Sequence, residues 1–318
     1  MDVLILGNEL NAHEFKSYLT AEFPEINFFS AREENEVGDF IEKADVLLCQ
    51  RVSDALLSRA KNLKWIQSML AGTNYIDEQP SFRARQEVIL TSSRGLHGPQ
   101  MSELAIMLMI AMNRKFPQFV RNQDRRVWER WPATLLCNKT IGILGVGVIG
   151  EALARKCKAF EMTVWGVGSV KRTVAAVDEF HTLAALPDIA SAVDYLVCLA
   201  PSRPDNQKMV NAEVFSRMKP TAFFLSLGRG EVIDENALIE VLQKRKIAGA
   251  ALDVFWQEPL PADSPFWGLD NVIITPHVGG MTDVYVQQAV KIFQENLRRY
   301  MRGERRDFIN LVSRTQPR

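Results

Sequence analysis

The sequence predicts an α/β protein built from two doubly wound parallel-sheet domains. Three observations predict it. Short apolar runs alternate with helical stretches from the first residues, the alternation restarts near residue 140, and a glycine-rich turn sits at that restart. At 318 residues the chain is long enough to bury two separate cores.

In order along the chain, residues 3–6, 26–29, 46–48, 65–66 and 88–90 are apolar runs of strand length, with a helical stretch around residues 53–60. Residues 101–112 are apolar nearly all the way round, with Glu103 as the only charge, so that helix must be buried on several sides. It is expected to lie between domains and to serve a dimer interface. Residues 121–132, charged and containing tryptophan, read as an exposed excursion. Further strands are expected at 141–144, 163–167, 195–199, 222–226, 248–253 and 272–275, and Asp234 is suited to cap a helix running to about Lys244. Thr282 is expected to cap a last helix carrying Val286, Ala289, Phe293, Leu297 and Tyr300 on one stripe, with Gly303 ending it. A final helix of that length can return to the first domain. The expected division is therefore residues 1–96 plus 284–318 as one domain and 97–283 as the other.

Apolar residues make up 47% of the chain and charged residues 24%, as in ordinary soluble proteins. Lys plus Arg equals Asp plus Glu at 38 each, which argues against a broadly basic nucleic-acid surface. The run at residues 3–6 is too short for a signal-peptide core, and no run approaches a membrane span. The four cysteines stand singly without metal spacing, so a reducing, cytoplasmic setting and no metal are expected.

The glycine-rich turn is Gly145-Val146-Gly147-Val148-Ile149-Gly150, between an apolar strand and a helical stretch. In that context it is the dinucleotide fingerprint of a Rossmann domain. Gly145 permits the tight turn, Gly147 lets backbone approach a pyrophosphate, and Gly150 lets the helix pack on the strand. The helix start at Val148 and Ile149 then offers N–H groups to the phosphates. A site for NAD shows an acid near the end of the next strand, holding the ribose 2′-hydroxyl. Here no acid lies between Glu161 and Asp178, and Ser169, Lys171 and Arg172 offer a hydroxyl and two cations suited to a 2′-phosphate. NADPH is therefore expected as the preferred cofactor, with NADH as the alternative.

Three motifs in the last third carry chemistry. Arg229 stands in Gly228-Arg229-Gly230, Glu258 in Gln257-Glu258-Pro259, and His277 in Pro276-His277-Val278. An arginine fork can hold a 2-keto acid's carboxylate while polarising its carbonyl, a histidine can protonate the developing alkoxide, and a carboxylate on the far imidazole nitrogen stabilises the charged ring. Each residue follows a predicted strand, at the end where open α/β sheets bind ligands. His13, His97 and His181 lack such surroundings; His97, the only rival to His277, reads rather as the hinge into the apolar helix.

Together with Ala71-Gly72 and the stretch from Asp253 to Pro261, these motifs closely resemble the D-isomer-specific 2-hydroxyacid dehydrogenase family, which includes glyoxylate/hydroxypyruvate reductases, over nearly the whole length. The resemblance implies a Rossmann cofactor domain with a flavodoxin-like substrate domain. It implies that Arg229 binds substrate, His277 is the acid/base and Glu258 orients it. A backbone clamp for the substrate carboxylate would fall at Leu70, Ala71 and Gly72, and His277 would also contact substrate. Asp253 would meet the nicotinamide carboxamide and Pro201 would line the cofactor channel, with Leu227, Gly228 and Gly279 also expected at the cofactor. Two positions depart from the family: Ser226 replaces a frequent Asn, and Thr73-Asn74-Tyr75 replaces a common Val-Asp-His. The expected activity is reduction of a small 2-keto acid to the D-2-hydroxy acid by a homodimer. A bulkier 2-keto acid and a dinucleotide-sensing, corepressor-like interaction protein stay open as alternatives.

Overall fold

Apolar strands covered on both faces build the first sheet. In the computed structural model, which describes residues 1–7 and 12–313, strand β1 (Asp2–Leu6) turns Val3 and Ile5 to one face and Leu4 and Leu6 to the other. Each pair meets its own apolar layer, Val46, Leu48 and Trp65 on one side and Leu47, Cys49 and Ile66 on the other. A strand apolar on both faces is buried on both, which is the condition for a parallel sheet between helices. With β2 (Asn27–Ala31), β3 (Val46–Cys49), β4 (Trp65–Ser68) and β5 (Ile89–Thr91), the order is β2-β1-β3-β4-β5, every pair parallel. That is the flavodoxin-like winding.

The chain forms two units, Met1–Leu96 with Thr282–Arg318, and His97–Met281. The return to the first unit falls at Thr282, against residue 284 expected from sequence. The last helix, Tyr285–Met301, buries Val286, Ala289, Phe293, Leu297 and Tyr300, the stripe the sequence predicts. Phe293 stacks on Trp65 with ring centroids 5.0 Å apart, and burying such a side chain fully contributes about 1.5–3 kcal/mol. Thr282 does not cap this helix. Val284 precedes the first helical residue without a side-chain cap, and Thr282 closes the turn before it, bonding Asp283. Gly303, at φ +78, stands just past the helix end as expected.

In the second unit β6 (Thr140–Leu144), β7 (Thr163–Gly168), β8 (Glu179–Thr182), β9 (Tyr195–Cys198), β10 (Phe223–Ser226), β11 (Gly249–Leu252) and β12 (Val272–Ile274) form one parallel sheet, ordered β12-β11-β10-β9-β6-β7-β8. Apolar layers again cover both faces. β8 has no counterpart in the sequence reading. It is an edge strand, Glu-Phe-His-Thr, in which only Phe180 is buried, so no apolar run announces it. The apolar helix runs Gly98–Arg114 and buries Met101, Ala105, Leu108 and Met109, yet leaves Met107 and Ile110 exposed. The expected excursion begins as a helix, Phe116–Arg125, and only the segment beyond it is irregular, with Trp128 90% exposed. No helix among the described residues is long and apolar enough to cross a membrane.

Candidate active site

Strands β12, β11, β10, β9, β6 and β7 lie side by side and parallel, so their carboxyl ends share one edge of the second unit. His277 follows β12, Asp253 and Glu258 follow β11, Arg229 follows β10, Pro201 follows β9, Gly145 follows β6 and Ser169 follows β7. The sheet thus gathers every sequence-predicted residue of this unit at the end where α/β sheets bind ligands.

The fingerprint fits a dinucleotide. Gly145 has φ +92, and a Cβ there would stand 2.8 Å from the Ala200 nitrogen, so both its backbone and its surroundings demand glycine. Gly150 lets the helix Val148–Ala159 pack on the turn, where a Cβ would stand 2.9 Å from the Gly145 oxygen, while a Cβ on Gly147 would meet only open space. That open side is where a phosphate can reach the backbone. Val148, Ile149 and Gly150 lie in the helix's first turn, where no intrahelical carbonyl reaches their N–H groups. Ser169, Lys171 and Arg172 are exposed just past β7. Arg172 folds back over the turn, donating to the Val146 carbonyl, pairing with Glu151 at 3.0 Å and lying over the Phe180 ring. Gly228 approaches the next loop so closely that a Cβ would stand 2.6 Å from the Ala200 oxygen. Leu227 is buried and donates its N–H to Cys198. Pro201 is exposed and accepts a bond from Asn206.

Arg229, Glu258 and His277 are all exposed. His277 Nδ1 lies 2.6 Å from Glu258 Oε2, and Glu258 Oε1 accepts the Phe255 N–H at 3.0 Å. Both carboxylate oxygens are therefore committed, one to the turn and one to the ring. His277 itself adopts φ +53, a left-handed backbone that costs a non-glycine residue on the order of 1–3 kcal/mol. Asp253, 1% exposed, offsets that strain. Its Oδ1 accepts from Thr275 Oγ1 at 2.5 Å and Val278 N–H at 3.0 Å, and its Oδ2 accepts the Gly279 N–H at 3.0 Å. Expected at the nicotinamide, Asp253 holds the His277 turn from both sides. Gly279 sits in that turn because a Cβ would stand 2.6 Å from Met101 Sδ.

Two residues the sequence did not place belong here. His97, read as a hinge, comes within reach of Gly280, whose Cβ would stand 2.9 Å from His97 Cδ2. Burial, and then the Arg229 charge, hold its pKa below the usual histidine value. Glu235 accepts the Trp256 N–H at 2.7 Å, next to the Glu258 turn. Burial above all, and also Glu258's charge, raise its carboxyl above the usual range while the Trp256 N–H works the other way. An acid in a helix's first turn reads in sequence as a partner of the helix dipole, which masks such a contact.

In the first unit Leu70, Ala71 and Gly72 follow β4. Leu70 N–H is already bonded to Ser68 Oγ at 3.0 Å, whereas Ala71 and Gly72 N–H donate to no group among the described residues. Tyr75, at the position that departs from the family, bonds the same Ser68 hydroxyl. Ser226, the other departure, is buried, and its hydroxyl has no partner among the described residues.

A family model described as "D-isomer specific 2-hydroxyacid dehydrogenase, NAD binding domain" matches residues 106–279. The D-3-phosphoglycerate dehydrogenase of Methanocaldococcus jannaschii is 30% identical over 92% of this chain, which spans only 56% of that protein's length. A D-isomer specific 2-hydroxyacid dehydrogenase family protein from Aeromonas salmonicida superposes with a TM-score of 0.89 at 32% identity, covering 98% of this chain and 99% of the other. An NADPH-dependent glyoxylate/hydroxypyruvate reductase from Sinorhizobium meliloti, solved with NADP and sulfate, gives 0.84 at 26% identity, covering 98% of each. The matched model spans the fingerprint, Arg229, Glu258 and His277, and the chain belongs to the D-isomer specific 2-hydroxyacid dehydrogenase family, oxidoreductases with a nicotinamide dinucleotide cofactor.

Proposed function

We propose that this chain reduces a small 2-keto acid, glyoxylate or hydroxypyruvate, to the D-2-hydroxy acid with NADPH preferred over NADH. The observation that carries the reading is the 2.6 Å contact between His277 Nδ1 and Glu258 Oε2 beside Arg229 on the same sheet edge. A bound dinucleotide supplies the hydride to C2. Arg229 holds the carboxylate and polarises the carbonyl. Glu258 fixes the imidazole so that Nε2 faces substrate, and the alkoxide takes its proton from that ring. Reduction needs His277 charged and oxidation needs it neutral, so the two directions have opposite pH dependences.

The preference for NADPH rests on Lys171 and Arg172 at the end of β7, with no acid there for a free 2′-hydroxyl, and the S. meliloti reductase supports it. We place a homodimer contact on the exposed apolar residues Met107, Ile110, Phe116, Phe119, Val120 and Trp128. Light scattering reads it, and a monomeric mass contradicts it. The test of function is initial rates on a panel from glyoxylate and hydroxypyruvate to phenylpyruvate with each cofactor. Fast NADPH-dependent turnover of the small acids supports the reading, and Lys171→Ala with Arg172→Ala raises KM for NADPH alone. Tight dinucleotide binding without turnover of any keto acid overturns it in favour of a sensor.

A further inference from the structure

The acid/base pair stands on a turn that the neighbouring strand's loop holds in place. Gly230, next to Arg229, packs so closely on that turn that a Cβ would lie 2.0 Å from the Phe255 carbonyl carbon. Five residues further on, the helix Glu235–Gln243 begins, and Asp234 already caps it by accepting from the Ala237 N–H at 3.2 Å. Glu235 is therefore free of the capping role its position suggests. Its Oε1 leaves the helix and accepts the Trp256 N–H, at 2.7 Å, in the segment after β11. The adjacent residue on that turn, Phe255, gives its N–H to Glu258. Consecutive amides of one turn are thus pinned by two different glutamates, one of which carries His277. Lys208 adds a third hold, with Nζ 5.8 Å from the Trp256 ring centre.

The surroundings make Glu235 a costly residue to keep for stability alone. It lines a small cavity with Leu238, Leu252, Phe255, Phe266 and Ser226, whose hydroxyl has no partner among the described residues. A carboxyl in such a place is desolvated and close to Glu258's like charge.

We infer that Glu235 is a positioning residue for the acid/base pair, locking the Glu258 turn to the segment that carries Arg229 through its bond to the Trp256 N–H. The inference rests on the proposed acid/base role of His277. The link sets the registry between the arginine that grips substrate and the histidine that protonates it. A small slip in such registry lowers turnover by up to about a hundredfold.

Three variants test it. Glu235→Ala removes the acceptor, Glu235→Asp keeps the charge but retracts the carboxylate, and Glu235→Gln keeps an acceptor oxygen without the charge. The expected result is a kcat at least about tenfold lower for Ala and Asp, with KM for the keto acid within about threefold, and Gln restored to within about threefold of wild type. If the Ala chain does not fold, the Asp variant carries the comparison. The second readout is the His277 Nδ1 proton in 15N-histidine-labelled protein without cofactor. Its downfield signal should be lost or shifted in Ala and Asp and retained in Gln. Wild-type kcat in Ala and Asp, an unchanged proton signal, or a Gln variant as impaired as Ala overturns the inference. Absence of keto-acid turnover in wild type instead removes the proposed function, and the proton signal still decides what Glu235 does.

Discussion

Asp253→Asn separates two roles for the most heavily bonded carboxylate of the site. In the folded unit its two oxygens accept three hydrogen bonds, from Thr275, Val278 and Gly279, all in the turn around His277. Asparagine keeps one oxygen, and its amide nitrogen must face a donor. The less costly placement sets the nitrogen against the Gly279 N–H and keeps the Thr275 and Val278 bonds. One bond to a carboxylate is then lost and one buried N–H is left unpaired, which together cost about 2–3 kcal/mol. For a unit of this size that lowers Tm by about 4–12 °C. Thermal unfolding followed by circular dichroism, without dinucleotide, reads the shift, and kcat falls with it because His277 loses its left-handed turn. Were Asp253 instead to serve only the nicotinamide, the free protein would melt unchanged and only the KM for dinucleotide would rise. That result would refute the supporting role.

Other consequences follow from the same geometry. Gly145→Ala sets a methyl 2.8–2.9 Å from backbone atoms of Leu199 and Ala200 at a positive φ, so it should cost more than about 1 kcal/mol and abolish tight NADPH binding by tryptophan fluorescence; normal affinity would count against the fingerprint. His97 takes up a proton less readily in the folded chain than in the unfolded one, where its value is near 6.5. Its contribution to stability is therefore present above about pH 6.5 and is lost as pH falls through the lower native value. His97→Gln should flatten that acid limb in urea titrations, and an identical limb would contradict the assignment. Cys49, Cys157 and Cys198 are buried, with Cys157 and Cys198 pushed up to about 12 by burial, whereas Cys137 is partly exposed and bonded to Glu161. A thiol reagent at neutral pH should label one cysteine in the native protein and four in denaturant; fast labelling of a second would show that a core opens.

Much of this architecture was legible because burial writes itself into composition. Residues 3–6 and 141–144 are apolar throughout, as only a strand covered on both faces must be, and the Phe293 stripe repeats at helical spacing. Arg229, Glu258 and His277 were found because each sits in a turn of glycine or proline after such a strand. What escaped was set by tertiary contact rather than by pattern. β8 pairs along one edge only and needs a single buried side chain, Phe180. Thr282 has the chemistry of a helix cap, yet the chain turns once more before the helix starts at Tyr285. Asp234 caps its helix as the sequence predicts, but Glu235 looks like an ordinary first-turn acid, and only the fold brings it to the Trp256 N–H. Asp253 stands in a recognisable motif, but its three partners lie more than twenty positions away in sequence.

The proposed reduction turns on His277 as the proton donor. The deciding measurement is NADPH-dependent turnover of glyoxylate and hydroxypyruvate by wild type and His277→Ala, with NADPH affinity measured alongside. Turnover by wild type, a kcat at least about 100-fold lower in the variant, and unchanged NADPH affinity are predicted. A variant that turns over at the wild-type rate, or a wild type inert toward both acids, contradicts it.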